Sequence, residues 1–493
     1  MKLSADLSTR AWRLLLISIC FGALCFRLWG LNGAGETWDE VAYFDAGQSY
    51  VHNLRTLDGQ AADWDANHEH PPVGKWLYAA VSLGAYRAHI VDYTGGRALS
   101  AVLGTLTVLL TMLIGVRLYS RRIGLLAGGI LALLPIMIAL NRVYGLDTPT
   151  TFFFALTTWL LLVGLQAKRP AIWWLLCAVS LGLAIGTRLS NLLLYPFLVT
   201  VVAVVRWPVW QQRKQLAELW WIVAFALIPP LVVLLLWPWL WQDSLAHLQL
   251  TLGHWSPVAS YLFGMTREWG AAYFLVYFLV TTPVVLLGLL VIFLVRTVLR
   301  RRTADWLVLL WIGWVAAFSF YSLRQGGIRY LLPMMPAVAI ACAVGLSSLA
   351  QHLRFKQAFG WLTGGLVGYL LITACWSQPY QLDYYNEVVG GTAGVAKTQH
   401  FQLGWWGEGV ESAVVWLNTT APTGASVTFR AIPDRTQRLL RTDLIRSDEG
   451  TYVITNWFDR HWQGEFDPAT IGYERVYSVD THGASLAEVW QRQ

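Results

Sequence analysis

The sequence has few charged residues and few cysteines for its length. Only 13% of its 493 residues are Asp, Glu, Lys or Arg, against about 25% in an ordinary soluble domain. A soluble protein of this size has no way to bury the 56% of residues that are hydrophobic, so a soluble globular fold is excluded. Five cysteines exclude a disulfide-stapled secreted scaffold, and the hydrophobic content excludes intrinsic disorder. The sequence also contains no internal repeat, no Walker loop and no Gly-x-Gly-x-x-Gly motif.

The sequence instead has the pattern of a polytopic membrane protein. Apolar stretches of about 17–25 residues are long enough to cross a bilayer as helices. Eleven such stretches are predicted, at residues 12–31, 98–116, 123–140, 149–166, 171–187, 190–205, 219–240, 273–295, 306–322, 328–349 and 358–376. A helical run and several strand-like runs after the last stretch predict a small α/β domain. The predicted fold class is therefore all-α and polytopic, with about eleven transmembrane helices and a small C-terminal extracytoplasmic α/β domain.

The distribution of Lys and Arg predicts the orientation. With the N-terminus in the cytoplasm, 17 of these residues fall in cytoplasmic segments and 8 in external segments, the tail being left out. This bias predicts a multi-pass protein of the cell membrane, and it accounts for the net charge of +7 without a nucleic-acid partner. It places a first loop (residues 32–96) and a tail (residues 377–493) outside. We therefore predict a transmembrane domain over residues 1–376 and an external domain over residues 377–493.

The first loop opens with two adjacent carboxylates. Asp39 and Glu40 lie a few residues beyond the first apolar stretch and follow Trp38. One of them can take a proton from an attacking hydroxyl, which is the work of a general base. The alternative is an acidic pair at the start of a helix, where negative charge favours the helix dipole. The residues alone give the two interpretations even weight.

The same loop contains the run His68-Glu69-His70-Pro71-Pro72, which Lys75 follows. Glu69 and a histidine are ligands that a divalent metal accepts, and His254 of a later external loop is a candidate further ligand. The alternative is a set of polar loop residues before a helix, and the spacing alone favours this alternative. A divalent metal is therefore one option for this loop.

External cations indicate an anionic ligand. Arg142 lies at the external end of the third apolar stretch, shortly before Asp147. We interpret Arg142 as a cation for a lipid phosphate, with Asp147 orienting its guanidinium. The alternative is an Arg142 that reaches the lipid headgroups and an Asp147 that caps the next helix. Other external arginines, each more often a headgroup contact on its own, are Arg188, Arg267, Arg324 and Arg329.

Together these motifs resemble the GT-C glycosyltransferase superfamily. The first loop and the third stretch contribute Asp39-Glu40, Glu69 before His-Pro-Pro with Lys75 three residues on, and Arg142-x4-Asp147. Later segments contribute Arg329-Tyr-Leu-Leu-Pro with Pro336, and the tail motifs at residues 385–391 and 405–409. Within the superfamily, the sequence is most similar to the family-39 protein O-mannosyltransferases and the related lipid A aminoarabinose transferases.

The resemblance implies an inverting transfer of one sugar from a polyprenyl-phosphate carrier to an acceptor hydroxyl on the extracytoplasmic face. The sugar would be mannose or another hexose or pentose. Asp39 would be the general base, and Glu40 would support it. The acceptor region would contain Glu69, His70 and Lys75, and the region of the donor phosphate would contain Arg142, Asp147, Arg267 and Arg329. A metal, where one is used, would be held by Glu69 and His254.

Other functions stay open at this stage. The sequence lacks the lectin-like MIR repeats of eukaryotic O-mannosyltransferases, so the acceptor is a protein, a lipid or a glycan. The alternative enzymes are a lipid A aminoarabinose-type transferase and a cell-wall glycan transferase. The alternative of another class is a transporter or flippase for lipid-linked sugars, which needs ionisable residues near the bilayer midplane. A pure interaction protein would leave Asp39, Glu69 and Arg142 without a shared purpose.

Overall fold

A computed structural model describes residues 8–60, 64–212, 219–253, 259–319, 326–353, 355, 357–430, 436–457, 461 and 466–493. Its helices are α1 (Thr9–Leu28), α2 (Trp38–Thr56), α3 (Val73–Val81), α4 (Leu83–Ala88), α5 (Thr94–Leu118), α6 (Arg121–Leu133), α7 (Pro135–Leu140), α8 (Asp147–Gln166), α9 (Ala171–Thr187), α10 (Leu194–Gln212), α11 (Leu219–Leu236), α12 (Ser244–Gly253), α13 (Ala271–Thr281), α14 (Val284–Arg300), α15 (Thr303–Ser319), α16 (Met335–His352), α17 (Ala358–Trp376), α18 (Gly391–Thr398) and α19 (Val410–Thr420). The predicted class of a multi-pass, mainly helical membrane protein is thereby confirmed.

Fewer helices than the eleven predicted spans are long and apolar enough, among the described residues, to cross a membrane unbroken. Within the described residues, six helical segments are long and apolar enough to cross a membrane: Thr9–Leu28, Thr94–Leu118, Asp147–Gln166, Leu189–Arg206, Arg329–His352 and Ala358–Trp376. The bent pair α13 and α14, which meet at 115°, makes a seventh if it counts as one span. Shorter apolar helices are Ala171–Thr187, Val223–Leu236 and Thr303–Ser319. Each predicted stretch thus contains helix, but several are broken or short.

Proline accounts for two of these breaks. Pro135 follows Leu134, at which α6 has ended, and becomes the first residue of α7. Pro283 stands between α13 and α14 in the same way. Proline has no backbone N–H to donate and restricts the residue before it, so these two apolar runs do not continue as single straight helices.

Helix α16 lies at the centre of the membrane part. Nearly all of its side chains are buried, and it packs against α6, α14 and α15. Small residues allow this close packing: a Cβ added at Gly345 would stand 2.2 Å from the carbonyl oxygen of Leu289 in α14. Helices α1 and α17 expose many large apolar side chains and therefore form the lipid-facing periphery.

The tail contains the predicted small α/β unit. Its strands are β3 (Ser426–Phe429), β4 (Ile445–Arg446), β5 (Tyr452–Asn456), β6 (Tyr473–Thr481) and β7 (Ala484–Arg492), whereas β1 (Ser260–Leu262) and β2 (Met265–Arg267) form a separate antiparallel hairpin between α12 and α13. In the described part of the tail, the sheet order is β4-β3-β5-β7-β6, and β3 runs parallel to β4 and β5. Helix α19 covers this sheet with Val410, Val414 and Leu417.

The tail also packs directly on the first loop. The backbone N–H of Trp38 donates to the carbonyl oxygen of Trp406 at 3.1 Å, and that of Gly409 donates to Ala34 at 3.0 Å. The Glu36 carboxylate accepts a hydrogen bond from the Thr436 hydroxyl at 2.6 Å. The tail and the first loop are therefore packed together.

Candidate active site

Asp39 lies in the first turn of α2, and the local sequence explains why α2 begins there. Thr37 and Glu40 form a capping box, in which the Thr37 N–H donates to Glu40 Oε2 at 2.9 Å. Asp39 lies between these two residues in sequence, takes no part in the capping box and points elsewhere. Its Oδ2 accepts a hydrogen bond from Arg329 Nη1 at 2.6 Å, and 30% of its side chain stays exposed. Asp39 is therefore an accessible carboxylate that is held by one cation.

Glu40 has the opposite surroundings. Its side chain is fully buried and accepts hydrogen bonds from Arg97 Nε at 2.7 Å and Arg97 Nη2 at 2.6 Å. The backbone N–H groups of Thr37 and Tyr144 donate to the same carboxylate at 2.9 Å each. Since a carboxylate has about four acceptor positions, these four donors saturate it. The geometry gives Glu40 the task of joining α2 to α5 and to the turn before α8.

Arg329 is held between aromatic rings. Its guanidinium lies 5.1 Å from the ring centre of Tyr330 and 5.2 Å from that of Trp406. The guanidinium of Arg188 lies 4.9 Å from the centre of the same Tyr330 ring. Arg188 forms a buried ion pair with Asp147. Two arginines thus lie near one tyrosine ring, and each has an aspartate partner.

These charged groups line a small, partly enclosed pocket. Its walls include Asp147, Arg188, Ser190, Asn191, Arg329 and Tyr330, and apolar residues of α8 and α15 complete it. Two guanidiniums in one pocket suit a phosphate, because arginine binds phosphate oxygens through paired N–H donors. Asp39 borders the pocket through its bond to Arg329. The arrangement can hold an anion beside a carboxylate that is able to accept a proton.

Tyr43 connects this pocket with the rest of the first loop. It lies one helical turn after Asp39 and is buried. Burial and the nearby Asp39 carboxylate raise the pKa of its phenol well above the usual value, so it stays protonated. The ring centre of His70 is 6.2 Å from that of Tyr43. The His70 region therefore lies next to the Asp39 cluster.

Lys75 stabilises the turn that contains Glu69 and His70. Its ammonium is buried and donates to the carbonyl oxygens of Asn67 at 2.5 Å and His70 at 2.7 Å. Burial lowers the pKa of Lys75 to about 7. Glu69 accepts from Asn67 Nδ2 at 3.0 Å and lies 3.9 Å from the His70 ring. The structure thus places Lys75 beneath the turn and Glu69 at its partly exposed side.

Of the two predicted metal ligands, Glu69 and His254, the structure describes Glu69 alone. His254 lies outside the described residues. In the described part of the chain, no three His, Cys, Asp or Glu side chains are grouped as metal ligands. Glu69 and its neighbour His70 are the acidic and imidazole groups that the described turn offers. The metal site stays a prediction from the sequence.

Arg142 and Arg267 lie apart from the pocket that contains Arg188 and Arg329. Arg142 donates to the carbonyl oxygens of Phe26 and Arg27 and to the side chains of Gln378 and Gln381. The expected contact between Arg142 and Asp147 is replaced by the Asp147–Arg188 pair, because the turn after α7 points Arg142 towards the end of α1. Arg267 is exposed on β2 and lies 3.8 Å from the ring centre of Trp269. Both remain predictions as phosphate ligands.

Two residues that the motifs did not assign complete the site. Arg188 follows α9 and belongs to no local motif. Its predicted location among the external arginines is therefore the one sequence feature that indicates a functional role. Trp406 belongs to a tail motif of the resemblance, but nothing in that motif indicates a contact with Arg329. Both reach the pocket through contacts between distant parts of the chain.

A buried carboxyl pair lies directly behind Trp406. Asp383 Oδ1 accepts from the Gly404 N–H at 2.7 Å, and Glu408 Oε2 accepts from the Trp406 N–H at 3.0 Å. The described residues give no hydrogen-bond partner to Asp383 Oδ2 or Glu408 Oε1. Burial raises the pKa of Glu408 to about 7, and burial together with Glu408 raises that of Asp383. The pair therefore retains a proton at a pH where exposed carboxyls are ionised.

This pair predicts a pH-dependent stability. The unfolded chain releases the Glu408 proton near pH 4.5, whereas the folded protein holds it until about pH 7. The contribution of this pair to the free energy of unfolding is therefore largest below pH 4.5. It falls as the pH rises to about 7 and stays lowered above that pH. Glu408→Gln removes this loss, so at pH 8 it is expected to be about 1–3 kcal/mol more stable than the wild type. Thermal unfolding at pH 4.5 and pH 8 measures the difference. Equal melting at pH 8 for Glu408→Gln, wild type and the exposed control Glu449→Gln would contradict it.

Comparison with known proteins identifies the fold. Residues 69–237 match the family model described as dolichyl-phosphate-mannose-protein mannosyltransferase, which is about a third of the chain. The structure of ArnT from Cupriavidus metallidurans bound to undecaprenyl phosphate matches with a TM-score of 0.56 and 14% identity, covering 98% of each chain. No curated protein matches the chain by sequence.

Two archaeal structures match as well. The Archaeoglobus fulgidus oligosaccharyltransferase in the apo form has a TM-score of 0.52 and 10% identity, covering 91% of this chain and 70% of that one. The oligosaccharyltransferase AglB of the same organism, in complex with an inhibitory peptide and a dolichol-phosphate, has a TM-score of 0.50 and 13% identity over 83% and 58% of the two chains. The chain has the fold of the GT-C glycosyltransferases. The resemblance found in the sequence motifs is thereby confirmed as the fold of the whole chain.

Proposed function

We propose that this protein is an integral-membrane inverting glycosyltransferase. It moves a single sugar from a polyprenyl-phosphate carrier to an acceptor hydroxyl on the extracytoplasmic face of the cell membrane. The observation that carries the proposal is the pocket in which Arg188 and Arg329 stand beside the accessible carboxylate of Asp39. The titles of two structural matches name undecaprenyl phosphate and dolichol-phosphate, which supports a lipid-linked donor.

The reaction needs a base more than an acid. Asp39 accepts the proton of the acceptor hydroxyl, whose oxygen attacks the anomeric carbon of the sugar. The bond between that carbon and the phosphate oxygen breaks, and the electron pair leaves with the polyprenyl phosphate. Arg188 and Arg329 stabilise the additional negative charge on this leaving group. One displacement inverts the anomeric centre.

Arg329 links donor binding to the base. In the structure, one of its N–H groups is occupied by Asp39. A donor phosphate in the pocket is a phosphodiester with one negative charge, and it offers Arg329 a second anionic partner. When Arg329 bonds to it, Asp39 is released from the ion pair and can accept the proton of the acceptor hydroxyl.

The carrier fixes the place of the reaction. Its polyprenyl tail lies in the bilayer, so its phosphate and sugar lie at the interface, within reach of the first loop. The Lys and Arg distribution puts this loop outside and the N-terminus in the cytoplasm. Mannose is the first sugar to test, because the matched family model names it. Aminoarabinose-type transfer to lipid A and transfer to a cell-wall glycan are the alternatives that use other donors.

A donor panel tests the proposal. Purified protein in lipid nanodiscs is given polyprenyl phosphates carrying mannose, other hexoses and pentoses, together with a membrane extract as the acceptor pool. The expected result is release of free polyprenyl phosphate from one preferred donor. No release with any donor by monodisperse protein would reject the transferase. If no donor is cleaved but the protein moves a fluorescent polyprenyl phosphate across the membrane of liposomes, the result would support the flippase.

A further inference from the structure

Trp406 contacts Arg329 and the residue that precedes Asp39. Its ring lies over the guanidinium of Arg329 at 5.2 Å. Its carbonyl oxygen accepts a hydrogen bond from the backbone N–H of Trp38 at 3.1 Å, and Trp38 is the residue before Asp39. One residue of the tail therefore fixes the cation from one side and the start of α2 from the other.

Trp406 is itself held firmly. Only 3% of it is exposed, and its ring stacks on that of Trp405 with centroids 5.1 Å apart and an angle of 11°. The backbone N–H of Trp406 donates to the Glu408 carboxylate. The segment continues to Gly409, whose backbone N–H donates to the carbonyl oxygen of Ala34 in the first loop. Such a short loop, anchored at both ends, leaves the indole little freedom.

Glycine makes the tight path of this segment possible. Gly404, Gly407 and Gly409 have φ angles of 53°, 96° and 82°. These values lie in the left-handed region, which other residues adopt at a cost. The segment therefore turns sharply enough to place Trp406 over Arg329 while Glu408 stays behind it.

We propose that Trp406 is a positioning residue for the transfer reaction. Its aromatic face keeps the guanidinium plane of Arg329 directed at Asp39 and at the pocket, through a cation–π contact. Its carbonyl holds Asp39 at the height where the acceptor hydroxyl arrives. The inference rests on the proposed function, because it assigns Trp406 a role in that reaction. The alternative is that Trp406 only fills space in the interface between the tail and the helices.

A pair of substitutions separates these two roles. Trp406→Phe keeps an aromatic face, whereas Trp406→Met keeps apolar bulk without one. With the donor that the panel selects, we expect Trp406→Phe to retain kcat within about threefold. We expect Trp406→Met to lose about 10- to 100-fold in kcat, because a displacement of about 1 Å in a reacting group costs about that much. The matched control is Trp416→Met, since Trp416 stacks on Tyr477 at 4.6 Å within the tail and away from the pocket.

A double-mutant cycle tests whether the effect passes through Arg329. Arg329→Lys keeps the positive charge but loses the planar group that stacks. If Trp406 acts through this contact, kcat of the variant with both Trp406→Met and Arg329→Lys should be close to that of the worse single variant. Losses that multiply would overturn the proposal, and so would equal losses in Trp406→Phe and Trp406→Met.

Hydrogen exchange keeps the test independent of turnover. In Trp406→Met, a peptide covering residues 35–44 is expected to exchange about tenfold faster than in the wild type, because the loss of indole packing loosens the backbone whose carbonyl accepts from the Trp38 N–H. Unchanged exchange there would overturn the positioning of Asp39. If the wild type turns over no donor, the proposed function fails while exchange still decides whether Trp406 fixes this segment. Should Trp406→Met not stay monodisperse, Arg329→Lys and Trp406→Phe carry the comparison.

Discussion

Replacing Asp39 with Asn is expected to lower the rate of sugar transfer by about 10²–10⁴-fold and to leave the fold intact. The amide has nearly the shape of the carboxylate, and its oxygen still accepts the hydrogen bond from Arg329. It cannot take up the proton of an acceptor hydroxyl, so the step that needs the base is lost. The stability change should be small, because nearly a third of the Asp39 side chain is exposed.

Release of free polyprenyl phosphate measures this effect, with thermal unfolding run on the same preparations. The matched control is Asp45→Asn, which changes an exposed aspartate on the same helix. The control should keep wild-type activity. An Asp39→Asn protein with full activity would remove Asp39 from the mechanism, and a protein that no longer folds would show that Asp39 is structural.

Replacing the neighbouring Glu40 should have the opposite profile, a large loss of stability. Glu40→Met leaves the buried guanidinium of Arg97 without its carboxylate and the N–H groups of Thr37 and Tyr144 without their acceptor. Removing one partner of a buried ion pair costs about 3–5 kcal/mol. We therefore expect a strongly lowered melting temperature and little folded protein.

The double variant Glu40→Met with Arg97→Met provides the control. It removes the uncompensated charge as well, so it should melt above the Glu40→Met single variant. Thermal unfolding in the same detergent or nanodisc measures both. Wild-type melting of Glu40→Met, combined with loss of transfer, would instead make Glu40 the base.

The difference between these two adjacent carboxylates could be predicted only in part. The pattern Thr37-x-x-Glu40 is a capping box, so the sequence contains the reason why Glu40 turns back into the helix and Asp39 does not. The helix-start interpretation therefore applies to Glu40, and the general-base role of Asp39 stays a prediction. What the pattern does not contain is Arg97, which reaches Glu40 from α5 and turns a capping residue into a buried ion pair.

Long-range packing explains the remaining differences. Apolar content predicts helices well, because each predicted stretch contains helix, but hydropathy does not register the bend of 115° after Thr281. The sequence motif predicts that Asp147 pairs with Arg142. Its partner in the structure is Arg188, which comes from the end of another helix. The role of Trp406 depends on a contact between the tail and Arg329, and no local pattern encodes it.

The contacts of Trp406 with the first loop also set an order in time. The first loop is synthesised long before Trp406 is made, since most of the chain separates them. Until Trp406 is made, Arg329 lacks its aromatic contact and the start of α2 lacks the carbonyl that accepts from Trp38. Under the function proposed above, a nascent chain would therefore contain Asp39 without the contacts that position it. Sugar transfer would begin only after the tail has been made.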